Sequence, residues 1–221
     1  MSGVGDVAFC TGLPSWPPSK SARIFGEIHE PDGRHAVQCD LVEFLHRVEK
    51  RDSGSSNRFL QGFREFEANQ NLPNLIVMLL PIDHTQGTTP GFPTPRAMVA
   101  DNDLAVGRIV DAVSHSHYWP TTAIFVTEDD SQDGADHVDG HRSEALVISP
   151  YTRRRAVDST LYTTINLFRT IEQILGLPPT NQFDAAAHTM AKAFANTADT
   201  TPFDTVPNII ALDEMNNPLA R

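Results

Sequence analysis

Two continuous apolar runs, NLIVMLL at 74–80 and TAIFVT at 122–127, constrain this chain more than any other feature. Each is strand-length and lacks polar alternation, so each predicts a strand covered on both faces. The segment between them reads as a helix. Thr94 can cap it, Pro95 suits its first turn, and Val106, Ile109, Val110 and Val113 fall at i, i+3, i+4 and i+7 to form one apolar stripe. EALVIS at 144–149 predicts a third strand. A second helix is expected over 163–175, with Leu167, Ile171, Ile174 and Leu175 on one face and Gly176, Pro178 and Pro179 ending it. Weaker helical patterns cover 41–49 and 61–69, ARIFGEI resembles an interior strand, and the last twenty residues read as an irregular tail.

This order predicts an α/β fold with a mainly parallel sheet flanked by helices. A strand, a crossover helix and a second strand form a right-handed parallel unit, so the carboxyl ends of 74–80 and 122–127 should share one sheet edge. Asp83 and His84 leave the first end, and Glu128, Asp129 and Asp130 leave the second. The connection to EALVIS contains Gly134 and Gly140 and has no helical period, so the third strand should return antiparallel, with His141 at that same edge.

The stretch TEDDSQDGADHVDGHRS holds six acidic residues and two histidines. Carboxylates and neutral imidazoles offer lone pairs to divalent cations, and a bound cation would relieve the repulsion of so many acids at a strand exit. A solvated acidic connection is the competing reading. The upstream LPIDHTQGT string supplies a second set of donors and tips the balance toward a metal site. Asp133, Asp136 and Asp139 read as supporting or solvated residues.

Composition narrows the function classes. A chain of 221 residues with 40% hydrophobic content can build one sizeable core, and a net charge of −11 argues against binding duplex nucleic acid. The run Arg153, Arg154, Arg155 reads as a solvated turn. Cys10 and Cys39 could pair, but their spacing does not require it. No apolar window is long enough for a membrane span, and the first residues lack the pattern of an export signal. His115 and His117 read as helix-end residues interacting with the dipole.

LPIDHTQGTTPG, TPRAMVADNDLAVGRIVDAVSHS, TAIFVTEDDSQDGADHVDGHRS, LVISPYTRR and ILGLPPTNQFDAAA together resemble the bacterial phosphoesterase family of phosphatases and C-type phospholipases, within the alkaline phosphatase superfamily. The resemblance covers roughly 72–187. It implies an alkaline-phosphatase-like arrangement and metal-dependent hydrolysis of phosphate monoesters or diesters, of small molecules or lipids. The implied metal ligands are Asp83 with His84 adjacent, then Asp129, Asp130 and His141, with His137 the competing choice; Arg142 could balance phosphate charge or equally brace the acidic loop. Zn²⁺, Mn²⁺, Fe²⁺ and Ca²⁺ all suit such donors. Members of this family are often exported.

The family also has an acidic-Asn pair and a Ser or Thr nucleophile in an N-terminal half, and neither string occurs in the first seventy residues. Asp101-Asn102 falls inside the predicted helix and reads as a poor substitute. The expectation is therefore an incomplete domain: an irregular or helical segment over 1–70, an α/β core over 71–195 and a tail over 196–221. Its nucleophile is unassigned and its catalysis weak or absent. A metal-binding remnant without catalysis is the alternative.

Overall fold

The structure, a computed structural model, describes residues 5–11, 51–128 and 143–217. Its strands are β1 (Gly5–Thr11), β2 (Leu75–Leu80), β3 (Thr122–Glu128) and β4 (Ala145–Ile148). Its α-helices are α1 (Asp52–Asn69), α2 (Pro95–Ser114), α3 (Thr164–Leu175) and the short α4 (Gln182–Ala186). The sheet order is β2-β1-β3-β4.

Strands and helices mix as an α/β fold requires, but the expected mainly parallel sheet is corrected. Every described pairing is antiparallel, because β1 lies between β2 and β3 and runs against both. The opening residues, crowded with glycine and proline, gave no sign of a central strand. The directions of the two apolar runs are nonetheless as expected. Gly5 sits opposite Leu80 on one side and Glu128 on the other, so β2 and β3 end at the same edge. β4 returns antiparallel to β3, as predicted, with Ala145 opposite Thr127.

Both faces of β3 are covered, which explains its unbroken apolar sequence. Ile124 packs into a core with Phe59 and Phe63 of α1, Ile76, Met78 and Leu80 of β2, and Ile109, Val110 and Val113 of α2. Ala123 and Phe125 point to the opposite face, against Leu167, Ile171 and Ile174 of α3. β2 is covered fully on one face only. Ile76, Met78 and Leu80 are buried while Val77 is 42% exposed, since the α3 core extends no further than Leu75 on this strand.

The helix signals translate directly. Thr94 Oγ1 accepts from the Ala97 N–H at 3.3 Å, and Pro95 begins α2. Thr163 and Asn166 form a capping box on α3, which ends at Gly176 with φ of 71°, a conformation glycine adopts without a Cβ penalty. The pattern at 61–69 belongs to the longer α1; those at 41–49 and in ARIFGEI lie outside the described residues. Asp184 in the TNQFDAAA string accepts from Thr180 N–H and Asn181 N–H at 2.7 and 2.8 Å, so this aspartate closes a turn and helix start.

The C-terminal segment is irregular but closely tied to α2 and the loop before it. Ser114 Oγ accepts from Phe203 N–H at 2.9 Å, Asp111 Oδ2 accepts from Thr205 N–H at 2.7 Å, and Asn208 Nδ2 donates to Ala100 O at 3.0 Å. Asn216 Nδ2 lies 2.9 Å from both Gly87 O and Thr89 O. The arginine run is the exposed turn expected, with Arg153 Nε donating to Phe194 O and Arg154 pairing with Asp199 and lying over the Phe203 ring. His115 does close α2, its Nδ1 donating to Asp111 O at 2.9 Å.

Candidate functional site

At the shared edge, β2 passes into a 3-10 turn, Pro81–His84, carrying Asp83 and His84. This turn and the end of β3 border one cleft of about 1020 Å³. Asp83, His84, Glu128 and Glu144 all line it, together with the apolar residues Val99, Val126, Leu146 and Ile210. The structure thus brings the upstream donor pair to the end of the strand that leads, in the sequence, into the acidic stretch. Asp129, Asp130, His137, His141 and Arg142 lie outside the described residues. The described residues on either side of that stretch are held together: Glu128 N–H donates to Glu144 O at 3.2 Å, and Ser143 Oγ donates to Glu128 O at 3.1 Å.

Local geometry orients the histidine. His84 Nδ1 is 3.0 Å from Thr85 O. A carbonyl only accepts, so Nδ1 bears the hydrogen, and in the neutral ring Nε2 keeps its lone pair for a cation or a proton. Thr85 turns the chain sharply with φ of 59° and ψ of 173°, and its Oγ1 accepts from Gly87 N–H. A non-glycine residue in this region costs on the order of 1–3 kcal/mol, a strain typical of functional turns.

Charge in the cleft has the wrong sign for an anion acting alone. Among its described lining residues are four carboxylates, Asp83, Asp103, Glu128 and Glu144, but only one arginine, Arg96, which pairs with Glu214 at 3.2 Å. Among the described residues no three His, Cys, Asp or Glu side chains are grouped closely enough to hold a metal ion. Asp83 and His84 have the donor chemistry for such an ion, and so fit as part of a ligand set.

Behind the turn is a polar cluster that the sequence reading missed. Asp52, at the start of α1, is 1% exposed; its Oδ2 accepts from Ile82 N–H at 3.0 Å and from Asn102 Nδ2 at 3.1 Å. Asn102 Nδ2 also donates to Leu80 O at 3.0 Å. Asp101, 2% exposed, accepts from Ser53 N–H at 3.1 Å. A signal for this existed. Counting back by four from Val113 through Ile109 and Ala105 reaches Asp101, which places a carboxylate on the buried stripe of α2.

Asp52 is pushed up to about 6 from 3.8, chiefly by burial; the Asp101 and Asp83 charges add to this, and the bonds from Ile82 and Asn102 oppose it. The folded chain therefore holds this proton to higher pH than the unfolded chain. The stabilisation is fully present below about pH 4 and is lost as pH rises through about 6, an effect on the order of 3 kcal/mol. In urea titrations of the metal-free chain with chelator, Asp52→Asn should gain stability over the native chain between those limits. A constant difference across that window would assign the pH dependence to other groups.

A family model described as the Phosphoesterase family matches residues 40–178. That is well over half of the 221 residues. The chain belongs to the phosphoesterase family. The matched span takes in α1, β2, α2, β3, β4 and α3, and with them the turn and both strand ends that border the cleft. Phosphoesterase membership makes this a hydrolase family whose substrates are phosphate esters. No curated protein and no solved structure matches the chain. Among the described residues no helix is long and apolar enough to cross a membrane.

Proposed function

We infer that this phosphoesterase hydrolyses phosphate monoesters or diesters in the cleft at the β2 and β3 ends, with a divalent metal ion held by its own side chains. The observation behind this reading is the meeting, at one sheet edge, of the Asp83–His84 turn with the strand that leads into Asp129 and Asp130. Asp83, His84, Asp129 and Asp130, with His137 or His141, would supply the ligands in an alkaline-phosphatase-like arrangement. The excess of carboxylates supports a cation, since an ester phosphate would otherwise enter a repulsive field. When bound, such an ion supplies Lewis acidity at the phosphoryl oxygen and lowers the pKa of an attacking hydroxyl or water.

The chain's own groups would then do the rest. His84, with Nδ1–H held by Thr85 O, directs Nε2 as a neutral donor. Arg142 is the candidate partner for a phosphate oxygen. The apolar lining residues Val99, Val126, Leu146 and Ile210 suit the carbon portion of an ester, including a lipid chain. Zn²⁺, Mn²⁺, Fe²⁺ and Ca²⁺ are all compatible with the donors, and the nucleophile is unassigned.

The test is hydrolysis of nitrophenyl phosphate mono- and diesters by the purified chain with added Mn²⁺, Zn²⁺ or Ca²⁺. Slow, metal-dependent turnover that disappears in Asp129→Ala is expected. Metal uptake without turnover would favour the non-catalytic metal-binding alternative, and no uptake of any of the three ions would sink both.

A further inference from the structure

We propose that Asp52 and Asn102 are positioning residues that set the placement of the Asp83–His84 turn; the proposal rests on reading that turn as part of a metal site. Asp52 starts α1 and Asn102 lies in α2, 30 and 20 or so positions from the turn in sequence, yet both bond to the backbone on either side of Pro81. The Ile82 N–H, at the start of a short 3-10 turn, has no acceptor within it and is satisfied by Asp52 Oδ2. The two hydrogens of Asn102 Nδ2 are matched by two acceptors, Asp52 Oδ2 and Leu80 O. One point therefore joins the end of β2, the start of α1 and the second turn of α2, immediately before Asp83.

Asp101 completes this brace. The residue preceding α1, Arg51, provides no side-chain cap, and Asp101 Oδ2 takes the Ser53 N–H instead. That bond holds the backbone bearing Asp52, so the whole start of α1 is fixed from α2. Asp52 is buried, whereas Asn102 reaches the lining of the cleft itself. The Asp101-Asn102 pair thus works as a brace: its two side chains hold the elements that present the donors. Ligand geometry is sensitive to such supports, whose loss commonly weakens metal binding by about 10–100-fold.

The test uses the full chain and Mn²⁺ alone, with calorimetric titration, hydrogen exchange at the Ile82 amide, and thermal unfolding as three readouts. Asp52→Ala and Asn102→Ala are expected to weaken Mn²⁺ binding by about 10–100-fold and to speed Ile82 exchange. Asp52→Asn keeps an oxygen for both donors and should retain both properties within about threefold of the native chain. Val113→Ala, which loosens α2 without touching the brace, should lower the melting temperature and leave Mn²⁺ affinity unchanged. If Val113→Ala and Asn102→Ala weaken binding equally, or if Asp52→Asn fails to restore it, the positioning role is overturned. If the native chain takes up no Mn²⁺, the functional reading falls, and Ile82 exchange alone decides: faster exchange in both alanine variants supports the brace, and unchanged exchange overturns it.

Discussion

Replacing Phe125 by alanine is expected to lower the unfolding free energy by about 3–5 kcal/mol, the range for deleting a buried aromatic ring. Phe125 is 1% exposed at the middle of β3, with its ring centroid 6.4 Å from that of Phe194. It fills the layer between the sheet and α3, where Leu167, Ile171, Ile174 and Met190 surround it. Ala123, which shares that face, is fully buried and too small to fill the void. Total stabilities of domains are only about 5–15 kcal/mol, so the loss is a large fraction. Urea denaturation followed by circular dichroism measures it. A loss below about 1 kcal/mol would show that α3 does not pack on β3 in this way.

Asp83→Ala is expected to have the largest effect on function, weakening divalent-metal binding by more than about 100-fold, because changes one contact further from a metal already cost about 10–100-fold. Stability should move in the opposite direction or hardly at all. Asp83 contributes a like charge that raises the neighbouring Asp52, and removing it relieves that repulsion in the metal-free chain. Mn²⁺ titration beside a melting curve in chelator separates the two effects. Unchanged Mn²⁺ affinity would remove Asp83 from the ligand set and leave Asp129 and Asp130 to hold the ion without it. Joint loss of affinity and of fold would instead make Asp83 a structural residue.

Much of the local structure was legible because its signals are local. Thr94, Pro95 and the stripe ending at Val113 define α2; Thr163 and Gly176 bound α3; the unbroken apolar run of β3 reflects helices on both of its faces. Those bonds are made within a few residues, so spacing alone records them. The common edge for Asp83 and the end of β3 was also legible, since a crossover helix between two strands fixes their relative direction.

What the sequence could not show depends on partners distant in the chain. The insertion of β1 separates β2 from β3, and no periodicity in its glycine-rich surroundings announces which strands it will join. The ties from Phe203, Thr205 and Asn216 back to α2 and its preceding loop likewise turn an irregular segment into part of the fold. The sequence by itself determined the donor types, the start of α2, the limits of α3 and the common edge of the β2 and β3 ends. Only the tertiary structure decided that Asp52 and Asn102 meet behind Asp83, because a buried carboxylate and amide find their hydrogen-bond partners through packing of α1, α2 and β2, and desolvation makes that choice costly to leave unsatisfied.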